Sequence, residues 1–224
     1  MKIVVVVPAY NEEKTVGKVI SDLMSIGFEI VVVDDGSTDD TYNIVNSIFK
    51  EKKKGTLCKH LLNRGLGGAL RTGIEAALIE DPDVIITFDA DGQHDPQDIL
   101  NISKPIINDE ADVVVGKRNF EEMPYSKKFG NLIMNTITFV FYGIKVNDSQ
   151  SGLRAFNREA AETIIINARD YGVSSEIIGE VKRHDLRLKE VPIKTIYTDY
   201  SMTKGTNTSE GLKILVKLII NIFK

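Results

Sequence analysis

Five apolar residues in succession, Ile3 to Val7, follow Met1 and Lys2 and stop at Pro8. An unbroken apolar run of that length predicts a strand covered on both faces, because a strand with one wet face would alternate. The same signature returns at Ile30–Val33 and Val84–Phe88, and more weakly at Leu57–Leu62 and Asp112–Gly116. Between these runs the spacing turns helical. Asn11 is placed to cap a helix whose Val16, Val19, Ile20, Leu23 and Met24 form one stripe, with Gly27 ending it. Thr38 or Asp39 is placed to cap the next helix, which buries Ile44, Val45 and Ile48. The third expected strand enters Asn63-Arg64-Gly65-Leu66-Gly67-Gly68, after which a helix runs through Leu78. A fourth opens at Asp95-Pro96, since proline suits a first helical position. Strand and helix alternate, which predicts an α/β fold: a mostly parallel central sheet with helices on both faces.

Beyond residue 116 the pattern loosens. Over Lys127–Tyr142, Phe129, Ile133, Ile137, Val140 and Ile144 share one helical face, with Lys128, Asn131, Asn135 and Thr138 opposite. The apolar face is expected either to pack on the core or to meet a membrane surface. Arg158–Asn167 and Glu176–His184 are expected helices. Leu188–Ile193 is an expected strand that Pro192 confines to an edge or an end. Glu210–Phe223 is apolar at almost every position not occupied by lysine. It is too short to span a bilayer comfortably, and is expected to lie in the interface with Lys213, Lys217 and Lys224 toward the headgroups.

Composition narrows the function. At 224 residues, 42% apolar and 27% charged, the chain reads as an ordinary globular protein, and its net charge of −4 argues against general nucleic-acid binding. The single cysteine, Cys58, excludes an internal disulfide and, inside an expected strand, reads as buried packing. The apolar run after Lys2 is too short for a signal peptide, so a cytoplasmic location is expected.

Three polar loops fall at expected strand ends, where open α/β sheets bind ligands. They are Pro8-Ala9-Tyr10-Asn11-Glu12, Asp34-Asp35-Gly36-Ser37 and Asp89-Ala90-Asp91, the last continuing into Gly92-Gln93-His94-Asp95. Two carboxylates one residue apart suit a hard divalent cation, Mg²⁺ or Mn²⁺, held together with a diphosphate. Asp34-Asp35 offers acceptors for a base N–H or ribose hydroxyls. His94 is given no catalytic role, and His60 and His184 read as structural or surface residues. No glycine-rich dinucleotide turn follows the first strand, and no Gly-x-x-x-x-Gly-Lys-Ser/Thr occurs.

Taken with Gly67-Gly68-Ala69-Leu70-Arg71-Thr72-Gly73, Val115-Gly116-Lys117-Arg118 and Asp148-Ser149-Gln150-Ser151-Gly152-Leu153-Arg154, these motifs resemble the family-two glycosyltransferases of the Rossmann-like A-type fold. Within them the chain is similar to the dolichol-phosphate mannose synthases and related polyprenyl-phosphate sugar transferases. The resemblance implies one glycosyltransferase domain over 1–224. Residues 1–116 would bind the nucleotide sugar and 117–200 the acceptor, with a flexible loop and amphipathic helix over 201–224. It implies that Pro8, Tyr10, Glu12, Val33 and Asp35 hold base and ribose, and that Asp89 and Ala90 line ribose and diphosphate. Asp91 with Asp89 and Gln93 would take the metal, and Asp91 and Arg118 would carry catalysis. Arg118 would also bind the donor at its phosphates, and Arg118, Lys127, Lys128 and Asn131 would meet the acceptor phosphate. Lys204 stands in the loop where relatives place an arginine for the diphosphate.

The implied reaction is inverting transfer of a hexose from a nucleoside-diphosphate sugar to dolichyl or polyprenyl phosphate, at the cytoplasmic face of a membrane. GDP-mannose, UDP-glucose and UDP-N-acetylglucosamine remain open as donors, and the oligomeric state is open too. One rival is a transferase acting on a sugar or protein hydroxyl, with Glu176 as its base. Another is a non-catalytic nucleotide-sugar-binding module.

Overall fold

The apolar runs become the middle of one sheet. In the computed structural model, which describes residues 1–121, 123–169 and 172–196, the chain forms β1 (Ile3–Ala9), α1 (Val16–Ile26), β2 (Glu29–Asp34), α2 (Thr41–Lys52), β3 (Thr56–Lys59), α3 (Gly65–Ile79) and β4 (Val84–Thr87). It continues through α4 (Asp98–Ile107), β5 (Val113–Arg118), α5 (Tyr125–Tyr142), β6 (Arg154–Asn157), α6 (Arg158–Thr163), α7 (Val173–Arg183) and β7 (Leu188–Ile193). Lys204 and the expected helix Glu210–Phe223 lie outside the described residues.

The strands stand in the order β3-β2-β1-β4-β6-β5-β7. All described neighbours pair in parallel except β6, which is antiparallel to both β4 and β5. Residues alternate between two cores. Val5, Val7, Val32 and Ile86 face the α1–α4 side, with Ile20, Leu23, Ile99 and Ile102. Val4, Val6, Val31 and Ile85 face the other side, with Leu70, Ile74, Val173 and Ile177. Burying a single such side chain stabilises the fold by about 1.5–3 kcal/mol. β7 takes the edge, as Pro192 requires.

Several expectations change. The third strand stops at Lys59, and Leu61 and Leu62 turn out to solvent, 94% and 78% exposed. Cys58 is half-buried, because β3 is the other edge of the sheet. The fourth helix begins at Asp98, with Asp95 Oδ1 accepting the Gln97 N–H at 3.0 Å ahead of it. The helix expected over 158–167 is only α6. β6 was hidden by its composition: Leu153 and Ala155 alternate with Phe156 as a strand should, but Arg154 occupies a fully buried position.

In α5 the structure decides between the two expectations for the apolar face. Asn131 and Thr138 are buried, while Phe129 and Val140 are 57% and 72% exposed; of the five residues on the apolar face, Ile137 alone is buried. Polar bonds hold the inner face. Asn131 Nδ2 donates to Asp148 Oδ1 at 2.8 Å, Thr138 Oγ1 pairs with Ser175 Oγ at 2.8 Å, and Asn135 Oδ1 accepts the Ser149 N–H at 2.9 Å. Tyr142 lies against Gly179 of α7, where any side chain would strike its ring.

Candidate active site

Parallel strands deliver their carboxyl-terminal loops to one end of the sheet. Backbone bonds extend the strand pattern into those loops: Asp35 N–H to Ala9 O, Phe88 N–H to Val6 O and His60 N–H to Asp34 O, each 2.9 Å. Asn11, at φ 54°, then joins the first two loops. Its Oδ1 accepts the Thr38 N–H at 2.9 Å, and its own N–H reaches Ser37 Oγ at 3.0 Å. Asn11 therefore does not cap α1, whose N-cap position is Thr15.

The crevice between the loops has a volume of about 290 Å³. Pro8, Tyr10, Glu12, Asp35, Asp89, Ala90 and Asp91 all line it, so the donor residues expected from three distant loops share one cavity. Asn63, Gly65, Leu66 and Ala69, at the start of α3, close the remaining wall. Val33 stands apart: its side chain is fully buried facing Gly73, because alternation along β2 turns it toward α3.

The acid pair sits where β4 leaves the sheet. Asp89 is 38% exposed to the crevice, and its Oδ2 meets His94 Nε2 at 3.3 Å. Burial opposes its ionisation, but the His94 bond and the charges of His94, Arg154 and Arg118 outweigh that and hold its carboxyl below the usual range. Asp91 is shifted the opposite way. Burial and the neighbouring Asp89 charge push it up, against the hydrogen bonds of the Gln93 backbone and side chain to its carboxylate. The described residues contain no cluster of three or more His, Cys, Asp or Glu with metal-binding geometry. Of the expected metal set, Asp89 and Asp91 line the crevice, while Gln93 turns its amide nitrogen to the Asp91 carboxylate. His94 packs edge-on against Phe88, and its Nδ1 is buried without a partner. The sequence placed it beside the acids without showing that it touches Asp89.

The cations are deployed unevenly. Arg118 donates from Nε and Nη2 to Asp148 at 2.7 and 2.8 Å, and from its backbone N–H at 3.1 Å. Asp148 is fully buried and also holds Asn131, so the expected acceptor residues Arg118 and Asn131 meet on one carboxylate. Lys127 is half-buried. Burial lowers its ammonium pKa, while the Asp91 charge pulls the other way. Lys128 lies apart from the acids, in a second groove of about 800 Å³ with Lys117, Phe129 and Leu132 of the exposed α5 face. Arg154 stood in the sequence only as the end of a motif, with no role of its own. It is 1% exposed and donates to Ser174 Oγ at 2.6 Å; burial lowers it to about 10, against the attraction of Asp89 and Asp148.

A family model described as "Glycosyl transferase family 2" matches residues 4–165. The chain belongs to that family. An uncharacterised protein of Methanocaldococcus jannaschii is 52% identical over 98% of this chain and 91% of its own length. A Methanococcus voltae protein named UDP-N-acetylglucosamine–dolichyl-phosphate N-acetylglucosaminyltransferase is 42% identical over 97% of this chain and 95% of its own. Among solved structures, the Mycobacterium tuberculosis glucosyl-3-phosphoglycerate synthase in complex with Mn²⁺, UDP-glucose and phosphoglyceric acid shares the fold. Its TM-score is 0.68 at 20% identity, over 88% of this chain and 72% of that one. The protein is a glycosyltransferase, and its fold is the A-type.

Proposed function

We propose that the protein transfers a hexose or N-acetylhexosamine from a nucleoside-diphosphate sugar to a polyprenyl monophosphate, with inversion at the anomeric carbon. The observation that carries this reading is the fate of Glu176. A hydroxyl acceptor needs a base to take its proton. Glu176 Oε2 instead accepts the backbone N–H groups of Asn167 and Ala168 at 3.0 and 2.8 Å. Its neighbours Ser174 and Ser175 are bonded to Arg154 and Thr138. A phosphate monoester, with a second pKa of about 6, is already a nucleophile near neutral pH and needs positioning rather than a base.

The remaining roles follow. Pro8, Tyr10, Glu12 and Asp35 would hold the nucleoside, and Asp89 and Asp91 the diphosphate through Mg²⁺ or Mn²⁺. The bound cation would neutralise the charge of the leaving diphosphate. Arg118 and Lys127 would steer the acceptor phosphate to the face opposite the leaving group. The exposed apolar side of α5, flanked by Lys117, Lys128 and Lys145, suits a lipid surface with anionic headgroups. No helix among the described residues is long and apolar enough to cross a membrane. The Methanococcus voltae relative supports the lipid-phosphate acceptor and makes UDP-N-acetylglucosamine the first donor to try.

Two measurements test the reading. Incubation with radiolabelled UDP-N-acetylglucosamine, UDP-glucose or GDP-mannose, Mn²⁺ and vesicles carrying polyprenyl phosphate is expected to move label into the organic phase for one donor. Label that stays aqueous for all three would overturn the proposal. Glu176→Gln keeps an oxygen for the two N–H groups and is expected to retain activity within about threefold. A loss of about 100-fold or more would restore the hydroxyl-acceptor rival, in the range typical of a missing base.

A further inference from the structure

Asp35 lines the crevice, yet most of its hydrogen-bonding capacity is already used inside the protein. An ionised carboxylate offers about four acceptor sites, two on each oxygen. Asp35 Oδ1 accepts from His60 Nδ1 at 2.6 Å and from the Arg64 N–H at 2.9 Å. Asp35 Oδ2 accepts from the Gly65 N–H at 2.8 Å. One acceptor site remains, on Oδ2.

His60 sets this arrangement. The ring is 8% exposed and lies between Asp35 and Thr72, with Nε2 at 3.0 Å from the Thr72 hydroxyl. A neutral ring with its proton on Nδ1 satisfies both bonds: it donates to Asp35 and accepts from Thr72. Asn63 lines the same crevice. Its Oδ1 accepts the Gly65 N–H at 3.0 Å, while its amide nitrogen makes no hydrogen bond within the described residues. The base end of the crevice therefore presents one carboxylate acceptor site together with one amide donor.

We infer that His60, by occupying one oxygen of Asp35, sets the site for a 2,4-dioxopyrimidine base, so that the donor is a uridine-diphosphate sugar rather than a guanosine-diphosphate one. This rests on the proposed nucleotide-sugar function and specifies its donor. Uracil offers a single ring N–H flanked by two carbonyls, which meets one acceptor and an amide donor on the wall of the same crevice. Guanine offers two adjacent donors, and the second would face the oxygen already held by His60. Cytosine replaces the ring N–H with an acceptor, which would face the carboxylate. His60 is a positioning residue: it does not touch the nucleotide and acts through Asp35.

The test is calorimetric binding of UDP, GDP and CDP, at fixed Mn²⁺, to the full chain and to three variants. The wild type is expected to bind UDP about tenfold or more tightly than GDP or CDP. His60→Ala frees a second acceptor and is expected to bring the UDP-to-GDP ratio to within about threefold. His60→Asn, whose amide nitrogen can take the place of Nδ1, is expected to keep the preference. Asn63→Ala is expected to weaken UDP about tenfold. A wild type that binds GDP as tightly as UDP would overturn the inference, even if His60→Ala failed to fold. A full preference retained in a folded His60→Ala would overturn it too. A protein that prefers UDP but moves no sugar to lipid would lose the acceptor assignment alone. One that binds no nucleotide would lose both.

Discussion

Asp91→Asn is expected to lower sugar transfer by at least about 100-fold and to leave the fold at least as stable as before. The rate loss follows from the position of Asp91 in the crevice. With Asp89 it is one of the two crevice carboxylates proposed to hold the divalent cation, and removing a preorganised electrostatic group of this kind costs about 10²–10³ in rate. The stability outcome follows from the direction of its shift. Burial and the Asp89 charge raise the Asp91 carboxyl above its ordinary 3.8, so the folded state holds that proton more tightly than the unfolded chain does. Stability therefore falls as pH rises from 3.8 through the folded value, and ionised Asp91 is a net cost at neutral pH. Asparagine removes the charge and the repulsion while keeping a side chain that Gln93 can bond. Thermal denaturation at pH 7 should show an equal or higher midpoint. Added Mn²⁺ with UDP should raise the wild-type midpoint and leave the variant nearly unmoved. Transfer at the wild-type rate, or a loss of rate that tracks a collapse in melting temperature, would refute the role given to Asp91.

The sequence carried the fold and the donor crevice further than it carried the second half of the chain, and the difference is physical. Buried parallel strands leave a continuous apolar record, so β1, β2 and β4 were legible, and the loops behind them inherited their positions from the parallel sheet. Pro8, Tyr10, Asp35, Asp89 and Asp91 accordingly meet in one cavity. β6 left no such record, because a buried arginine broke the pattern, and Arg154 is tolerated there only beside Asp89, Asp148 and Ser174. α5 was legible as a helix but not in its orientation. Its inner face is satisfied by Asp148, Ser149 and Ser175, residues of other segments. Periodicity alone marks an apolar face without saying whether it turns inward or to a surface, because it cannot see those partners. His60 has no motif around it, and its bond to Asp35 joins residues brought together only by the pairing of β2 with β3. Arg118 and Asn131 were named from sequence, but the carboxylate that joins them, Asp148, appeared only as a member of a motif.

Gly152→Ala should also be severe, for a reason that depends on backbone rather than charge. Gly152 lies on the segment leading into β6, and its carbonyl accepts the Thr87 hydroxyl at 2.8 Å, which anchors it to the last residue of β4. The Asp89 carboxylate rests directly on its Cα. A methyl group there would fall well under 3.0 Å from Oδ1, Oδ2 and Cγ of Asp89. Backbone conformation is not the obstacle, since Gly152 does not lie at positive φ. Because Thr87 holds the backbone, the carboxylate is the part that must move, away from His94 and out of line with Asp91. A displacement of about 1 Å in a reacting group costs on the order of 100-fold in rate. The expected result is a kcat lowered about 100-fold, a weakened response of the melting temperature to Mn²⁺, and UDP affinity without Mn²⁺ changed less than about threefold. Gly152→Ser should behave alike, whereas Gly130→Ala, where an added methyl meets nothing within 4 Å, should keep wild-type kcat. A Gly152→Ala enzyme with normal kcat would mean that the seat of Asp89 is not what aligns the acid pair.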